Sequence, residues 1–353
     1  MKLAACALLR ITAGAVTCTA IFVPAVPALA ACAAAAGLPA ASAKPARPVT
    51  AYVADSDGST VVPINTATNK AGRPIKTGLN PDAIAITPNG KTAYVANGSG
   101  GGDQLTADSV TPIRTATNTA LKPIRTAIDT AGSGPDAIAI TPDGKTAYVA
   151  SYTPDKVTPI RTATNTALKP VSVGANAVAI AITPNGKTAY VVNSASDNVT
   201  PIRTATNTAL KPVKVHGDPF AIAITPDGKT AYVVGGDEPS WVTPIRTATN
   251  TALKPIKVSG GPFAIAITPD GKTAYVASNF TDTVIPIRVA TNTALKPIKV
   301  GAGPVDIAIT PNGKIAYVAN ADSNTVTPIR VATNTALKPI KTGRGPDDIA
   351  ITP

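Results

Sequence analysis

The chain has 353 residues, of which 44% are hydrophobic, 15% charged and 4% aromatic, with 27 glycines, 34 prolines and a formal charge of +12 at pH 7. So little charge beside so much Gly, Pro and small aliphatic sequence disfavours both disorder and coiled coil. One His, one Trp, one Met and three Cys leave little from which to build a disulfide framework, a zinc site or a Ser-His-Asp triad, and no cofactor is expected.

Lys2 and Arg10 come before an uncharged, Ala-rich stretch over residues 11–31 that closes on small residues. That order is the pattern of a secretory signal, so residues 1–31 are expected to direct export. No later run is long and apolar enough to span a membrane. Residues 29–32 read LAAC, which resembles the bacterial lipobox, in which the leader is cut before a cysteine that receives a diacylglyceryl group. Cys32 would then be the lipidated N-terminus; cleavage after Ala30, which ends an ALA site, is the alternative. Cys6 and Cys18 leave with the leader, and a single remaining cysteine suits an anchor and not an internal disulfide. The expected location is extracytoplasmic, either secreted or lipid-anchored on the outer side of a bacterial cell membrane. Residues 32–49 are an Ala/Pro-rich linker, and residues 50–353 form one repeating domain.

The tripeptide AYV recurs with its tyrosine at Tyr52, Tyr94, Tyr148, Tyr190, Tyr232, Tyr275 and Tyr317, at spacings of 42, 54, 42, 42, 43 and 42. Each unit reads as an apolar run (AIAI), a turn (TPDG or TPNG, then KT), a second run (AYVA or AYVV), a variable loop, a third run (VTPI), a turn (RTATNTA) and a fourth run (LKPIKV). Asp-Gly or Asn-Gly between apolar runs is a hairpin signal, because a tight turn needs residues that tolerate positive φ. The first two runs are nearly continuous in apolar residues, as in strands covered on both faces. Four antiparallel strands at such a period predict an all-β, seven-bladed β-propeller. The second, third and fourth strands each occur seven times from residue 51 on, while the seventh first strand is DDIAITP at 347–353. That C-terminal strand is expected to complete the N-terminal blade, a three-plus-one closure.

The units TPDGKTAYVAS and TPNGKTAYVVN, followed by VTPI, TATNT and a GxGP link, resemble the YVTN-type (YncE-like) β-propeller repeat family across essentially all of 50–353. The resemblance implies secreted or surface proteins, related to the propellers of lactonases and dehydrogenases. In that family the third strand usually ends in an acidic residue; here Arg114, Arg161, Arg203, Arg246, Arg288 and Arg330 stand there.

The proline of the third strand (Pro159, for example) predicts a bulge or unpaired position, and the Lys and Pro of LKPIK are expected to guard the outer edge of each blade. Propeller topology puts the second-to-third loops and the blade-to-blade links on one face, called upper here, and the other two turns below. Sorted this way, 17 of the 20 acids fall on the upper face, while the lysines and arginines of the repeats, except Lys156 and Arg344, fall on the underside and rim. A nucleic-acid partner is disfavoured, because the bases are spread round the blades and no aromatics interleave with them. Anionic lipid headgroups or cell-wall polymers fit the basic rim better, although solvated edge protection would also account for it.

Most unusual residues lie in the upper loops. The best candidate contact patch combines His216, Asp218, Phe220, Asp237, Glu238, Trp241, Phe263 and Phe280, aromatics beside acids that suit a small ligand or a protein partner. Phenylalanines that plug gaps between blades are the alternative. Asp55, Asp57 and Ser59 resemble the beginning of a calcium loop but lack the distal Glu, so no metal is expected. The leading expectation is an exported, monomeric, non-enzymatic propeller that binds a protein or small ligand through its upper loops. Two alternatives follow: a lactonase-like hydrolase or lyase at the channel mouth, and a binder of anionic envelope polymers or lipid headgroups through the basic rim. No catalytic pair stands out.

Overall fold

The computed structural model describes residues 5–6, 21–22, 50–55, 59–65, 70–98, 109–126, 134–236 and 239–341. Cys32, Asp57, Asp237, Glu238, the side chain of Asp55, the linker expected at 32–49, the closing strand expected at 347–353, and residues 1–31 apart from a two-residue pairing of Ala5–Cys6 with Ile21–Phe22 lie outside the described residues.

Seven antiparallel sheets follow one another along the chain from residue 50. The third is representative. Pro135–Ile140, Thr146–Ser151 and Lys156–Arg161 pair in sequence order, and the outer strand consists of two pieces, Thr166–Ala167 and Val171–Ser172. The first sheet is shorter, with Thr50–Asp55, Thr60–Asn65, Lys70–Ala71 and Ile75–Lys76. From the second sheet to the seventh, the inner strands of successive blades pack side by side, which is a propeller.

Side-chain alternation explains the continuous apolar runs. Tyr148 and Ala150 face the fourth blade, in one cluster with Ile180, Val191 and Ile202, while Ala147 and Val149 face the second blade, with Ala85 and Tyr94. Both faces of the second strand are therefore core, and each fully buried Val or Ile contributes roughly 1.5–3 kcal/mol.

The turns are built from the repeated letters. Thr141 Oγ1 donates to Asp143 Oδ1 (2.6 Å) and accepts from the Thr146 N–H (3.1 Å); Asp143 Oδ1 also accepts from the Lys145 N–H (3.0 Å). Gly144 follows at φ +71°, where a side chain is strained. Asn89, Asn185 and Asn312 accept the same two bonds, which is why Asp and Asn interchange in this turn. From the third blade to the seventh, the turn glycine also backs onto the turn proline of the blade before it, as Gly186 does on Pro142 at 3.3 Å from an ideal Cβ.

The second turn locks blade to blade. Its asparagine lies at φ 51–53° in the second to seventh blades and accepts the hydroxyl of the preceding blade's tyrosine at 2.5–2.6 Å, from Tyr52 to Asn118 round to Tyr275 to Asn334. Burial pushes the phenols of Tyr94, Tyr148, Tyr190, Tyr232 and Tyr275 up to about 12.

The expected irregularity at the third-strand proline lies one strand further out. Pro159 keeps its register with Tyr148, and its carbonyl accepts from the Leu168 N–H at 2.8 Å. Between the pairs Ile160–Ala167 and Val157–Val171, three outer residues face two on the third strand. The outer strand bulges because Pro159 has no N–H to offer it, so one piece, Thr166–Ala167, falls in the letters expected to form the turn, and of the expected fourth run only Val171–Ser172 pairs.

Candidate functional site

A second bulge opens the inner strand at the upper face. Pro135 pairs with Ser151 and Ala137 with Ala150, so Asp136 is the extra residue. The same position holds Asp82, Val178, Phe220, Phe263 and Val305 in the other described inner strands. These positions form a ring at the channel mouth, acidic in the second and third blades and apolar from the fourth to the seventh. Two neighbours among them meet: the Phe220 and Phe263 ring centroids are 5.8 Å apart, tilted by 50°.

Asp306 follows Val305 on the innermost strand and is 2% exposed, in the column that Ala83, Ala137, Ala179, Ala221 and Ala264 fill elsewhere. Asp82 is 7% exposed, its carboxylate lying against Gly98, where a Cβ would come within 2.2 Å of Oδ2. A carboxylate so buried is costly unless it is hydrogen-bonded or paired, so each such position is a constrained chemical group. Sequence reading placed both among the link acids without distinguishing them. The signal was available in the repeat alignment, as DIAI in place of AIAI and as the Pro-X position where Asp alternates with Phe and Val.

The candidate patch resolves into separate parts. Exposed His216 stacks against half-buried Trp241, centroids 5.5 Å apart, and Phe220 and Phe263 form the second aromatic pair. Phe220, half-buried, packs with one side on the core cluster between the fifth and sixth blades and covers Gly236, where a Cβ would lie 2.8 Å from its ring. Phe280, 79% exposed, sits over Gly261. Asp218 is exposed at φ +31°, and its N–H donates to Asp197 Oδ1 at 3.1 Å.

Several upper-face acids have a structural task. Asp155 Oδ1 accepts from the Asn176 N–H (2.9 Å) and Asp282 Oδ1 from the Gly303 N–H (3.0 Å), just as Asp197 holds Asp218. Each pins its second-to-third loop to the next blade's link. Ser59, of the calcium-like segment, is at φ +50° with its carbonyl accepting from Thr77. Among the described residues no three His, Cys, Asp or Glu gather as metal ligands.

Fold and mouth together define a seven-bladed propeller with a carboxylate-bearing, part-apolar ring at one end of its axis. The sequence matches the family described as "Lactonase, 7-bladed beta-propeller" over residues 48–176 and 179–344, and the chain belongs to that family. Similar solved structures include a Kuenenia stuttgartiensis hydrazine synthase chain (24% identity, 80% of this chain and 92% of that one, TM-score 0.63). A candidate 6-phosphogluconolactonase of Bacteroides fragilis NCTC 9343 (21%, 82% and 92%, 0.62) and a functionally unknown protein of Desulfotomaculum acetoxidans DSM 771 (19%, 84% and 96%, 0.63) are similar to a like degree. At these identities the likeness is one of fold. No curated protein matches the chain.

Proposed function

We propose that this protein is a lactonase-type hydrolase working at the upper mouth of the channel. Family membership moves the reading away from the non-enzymatic surface module that the loops alone suggested. The observation that carries it is Asp306, a carboxylate 2% exposed beside the mouth residue Val305, in a column where five other blades set alanine against the core between blades. In the proposed reaction its carboxylate takes a proton from water as the water oxygen bonds to the lactone carbonyl carbon. The ring C–O bond then breaks, and the proton passes to the leaving alkoxide to give the hydroxy acid. The apolar arc with Phe220 and Phe263 would hold the carbon skeleton, and an acid-rich mouth favours an uncharged lactone over an anionic one.

Turnover of uncharged aliphatic lactones, followed by titrating the acid released, tests this. Asp306→Asn is expected to lower kcat by about 100-fold while the melting temperature shows the variant folded. The same rate in a folded Asp306→Asn protein, or no turnover above the buffer rate, overturns the reading.

The finer YVTN-type label, export through residues 1–31 and lipidation at Cys32 belong to the same proposal, resting on the repeat letters and on LAAC. Mass spectrometry of the mature N-terminus distinguishes a diacylglyceryl-Cys32 from cleavage after Ala30.

A further inference from the structure

The two kinds of turn on the underside are tied together, since the Thr162 N–H donates to the Lys145 carbonyl at 3.0 Å and Thr162 Oγ1 to the Gly144 carbonyl at 2.6 Å, with equivalents in neighbouring blades. Each of the second to seventh blades therefore presents two exposed cations side by side: the turn lysine (Lys91, Lys145, Lys187, Lys229, Lys272 or Lys314) and the arginine ending the third strand. Against these twelve cations stand three acids, Asp143, Asp227 and Asp270, each 3.4–3.7 Å from its own blade's lysine. The turns need no charge to fold, since Asn makes the same bonds. Among the described residues none of the six arginines has an ion-pair or hydrogen-bond partner for its guanidinium, so their charge is left to face solvent.

The array recurs once per blade from the second to the seventh. Between blades it has short clefts: one of about 550 Å³ lined by Lys187, Lys229 and Arg246, and one of about 510 Å³ lined by Asn185 and Asp143. A thread-like polyanion needs a path to follow, whereas a plane of anionic headgroups meets every blade at once. Thr50 pairs with Asn65 at the underside end of its sheet, so the segment before it, which carries Cys32, joins the propeller on the basic face.

We propose that the underside is a docking surface for an anionic phospholipid bilayer, with the upper mouth turned away from it. Attraction of this kind grows with each base near the surface and falls with salt.

The full chain and its Lys91/Lys145/Lys187/Lys229/Lys272/Lys314→Gln variant are sedimented with phosphatidylcholine vesicles made with and without phosphatidylglycerol, at low and high salt, and soluble polyphosphate is offered separately. The proposal expects binding that needs phosphatidylglycerol, falls about tenfold or more with salt and falls similarly in the six-lysine variant. Lys156→Gln, on the upper face, should leave it unchanged. Equal binding of wild type and six-lysine variant, binding indifferent to phosphatidylglycerol, or capture of polyphosphate without capture of vesicles would each overturn it. Lactone turnover is a separate readout.

Discussion

Tyr190 reaches across a blade boundary, donating its hydroxyl to Asn250 Oδ1 at 2.6 Å, while the rest of its ring is fully buried. The same hydroxyl lies 3.2 Å from the Thr247 carbonyl, so its removal takes the shared donor from both acceptors. Tyr190→Phe is therefore expected to destabilise the fold by about 1 kcal/mol in a urea melt, with little change in contact area. The same phenols set an alkaline limit. Their folded pKa, about 12 through burial, lies above the ordinary value of 10.0. The stability linked to the neutral phenol is complete below the ordinary value and is lost as pH rises through the folded one. Urea midpoints should be flat up to the ordinary phenol value and then fall, in step with phenolate absorbance; a midpoint already falling at neutral pH would contradict this.

The repeated turn carries its stability in its acceptor atom and its glycine. Asp227 is held below its ordinary value first by the Thr225 hydroxyl and then by the Lys229 N–H, against burial, with a lesser contribution from the Lys229 ammonium. Its contribution is present above the ordinary carboxylate range and is lost as pH falls through the lowered value. Since Asn fills this position in three other turns, Asp227→Asn should change stability by under about 0.5 kcal/mol at neutral pH, the exposed Lys229 pair contributing little. The Asn variant should gain on wild type as pH falls. Asp227→Ala, without an acceptor, should cost about 1 kcal/mol in thermal melts. Gly186→Ala should cost about 1 kcal/mol or more, because Gly186 sits at φ +70° with Pro142 at 3.3 Å from a Cβ.

Over the whole molecule, each blade contributes half of the core on either side of it, so stability depends on every blade having both neighbours. The first sheet has second, third and outer strands among the described residues, and residues 347–353 carry the apolar letters of an inner strand. A chain ending at residue 346 is thus expected to melt at a lower temperature and with lower cooperativity than the full chain. Equal melts would mean that those residues contribute nothing to the ring.

Fold class, blade number and the chemistry of the turns were legible in the sequence, because each is a local rule repeated: period-two burial, a hairpin that needs Gly at positive φ, an Asx side chain serving as acceptor. The blade-to-blade role of Tyr and Asn was not, since Tyr190 and Asn250 are 60 residues apart and only the ring brings them together. Nor were the two proline effects distinguishable, because the missing N–H of Pro159 is felt by the strand facing it. The candidate patch was half legible. Its aromatics do pair, yet Asp306 passed as one link acid among many, because exposure depends on which neighbour closes over a residue and no single repeat contains that neighbour. Letters alone determined what each unit is and how many there are; assembly into a circle decided which carboxylate became dry, which cations share a plane and which faces oppose each other, since burial and electrostatic proximity are properties of space and not of chain order.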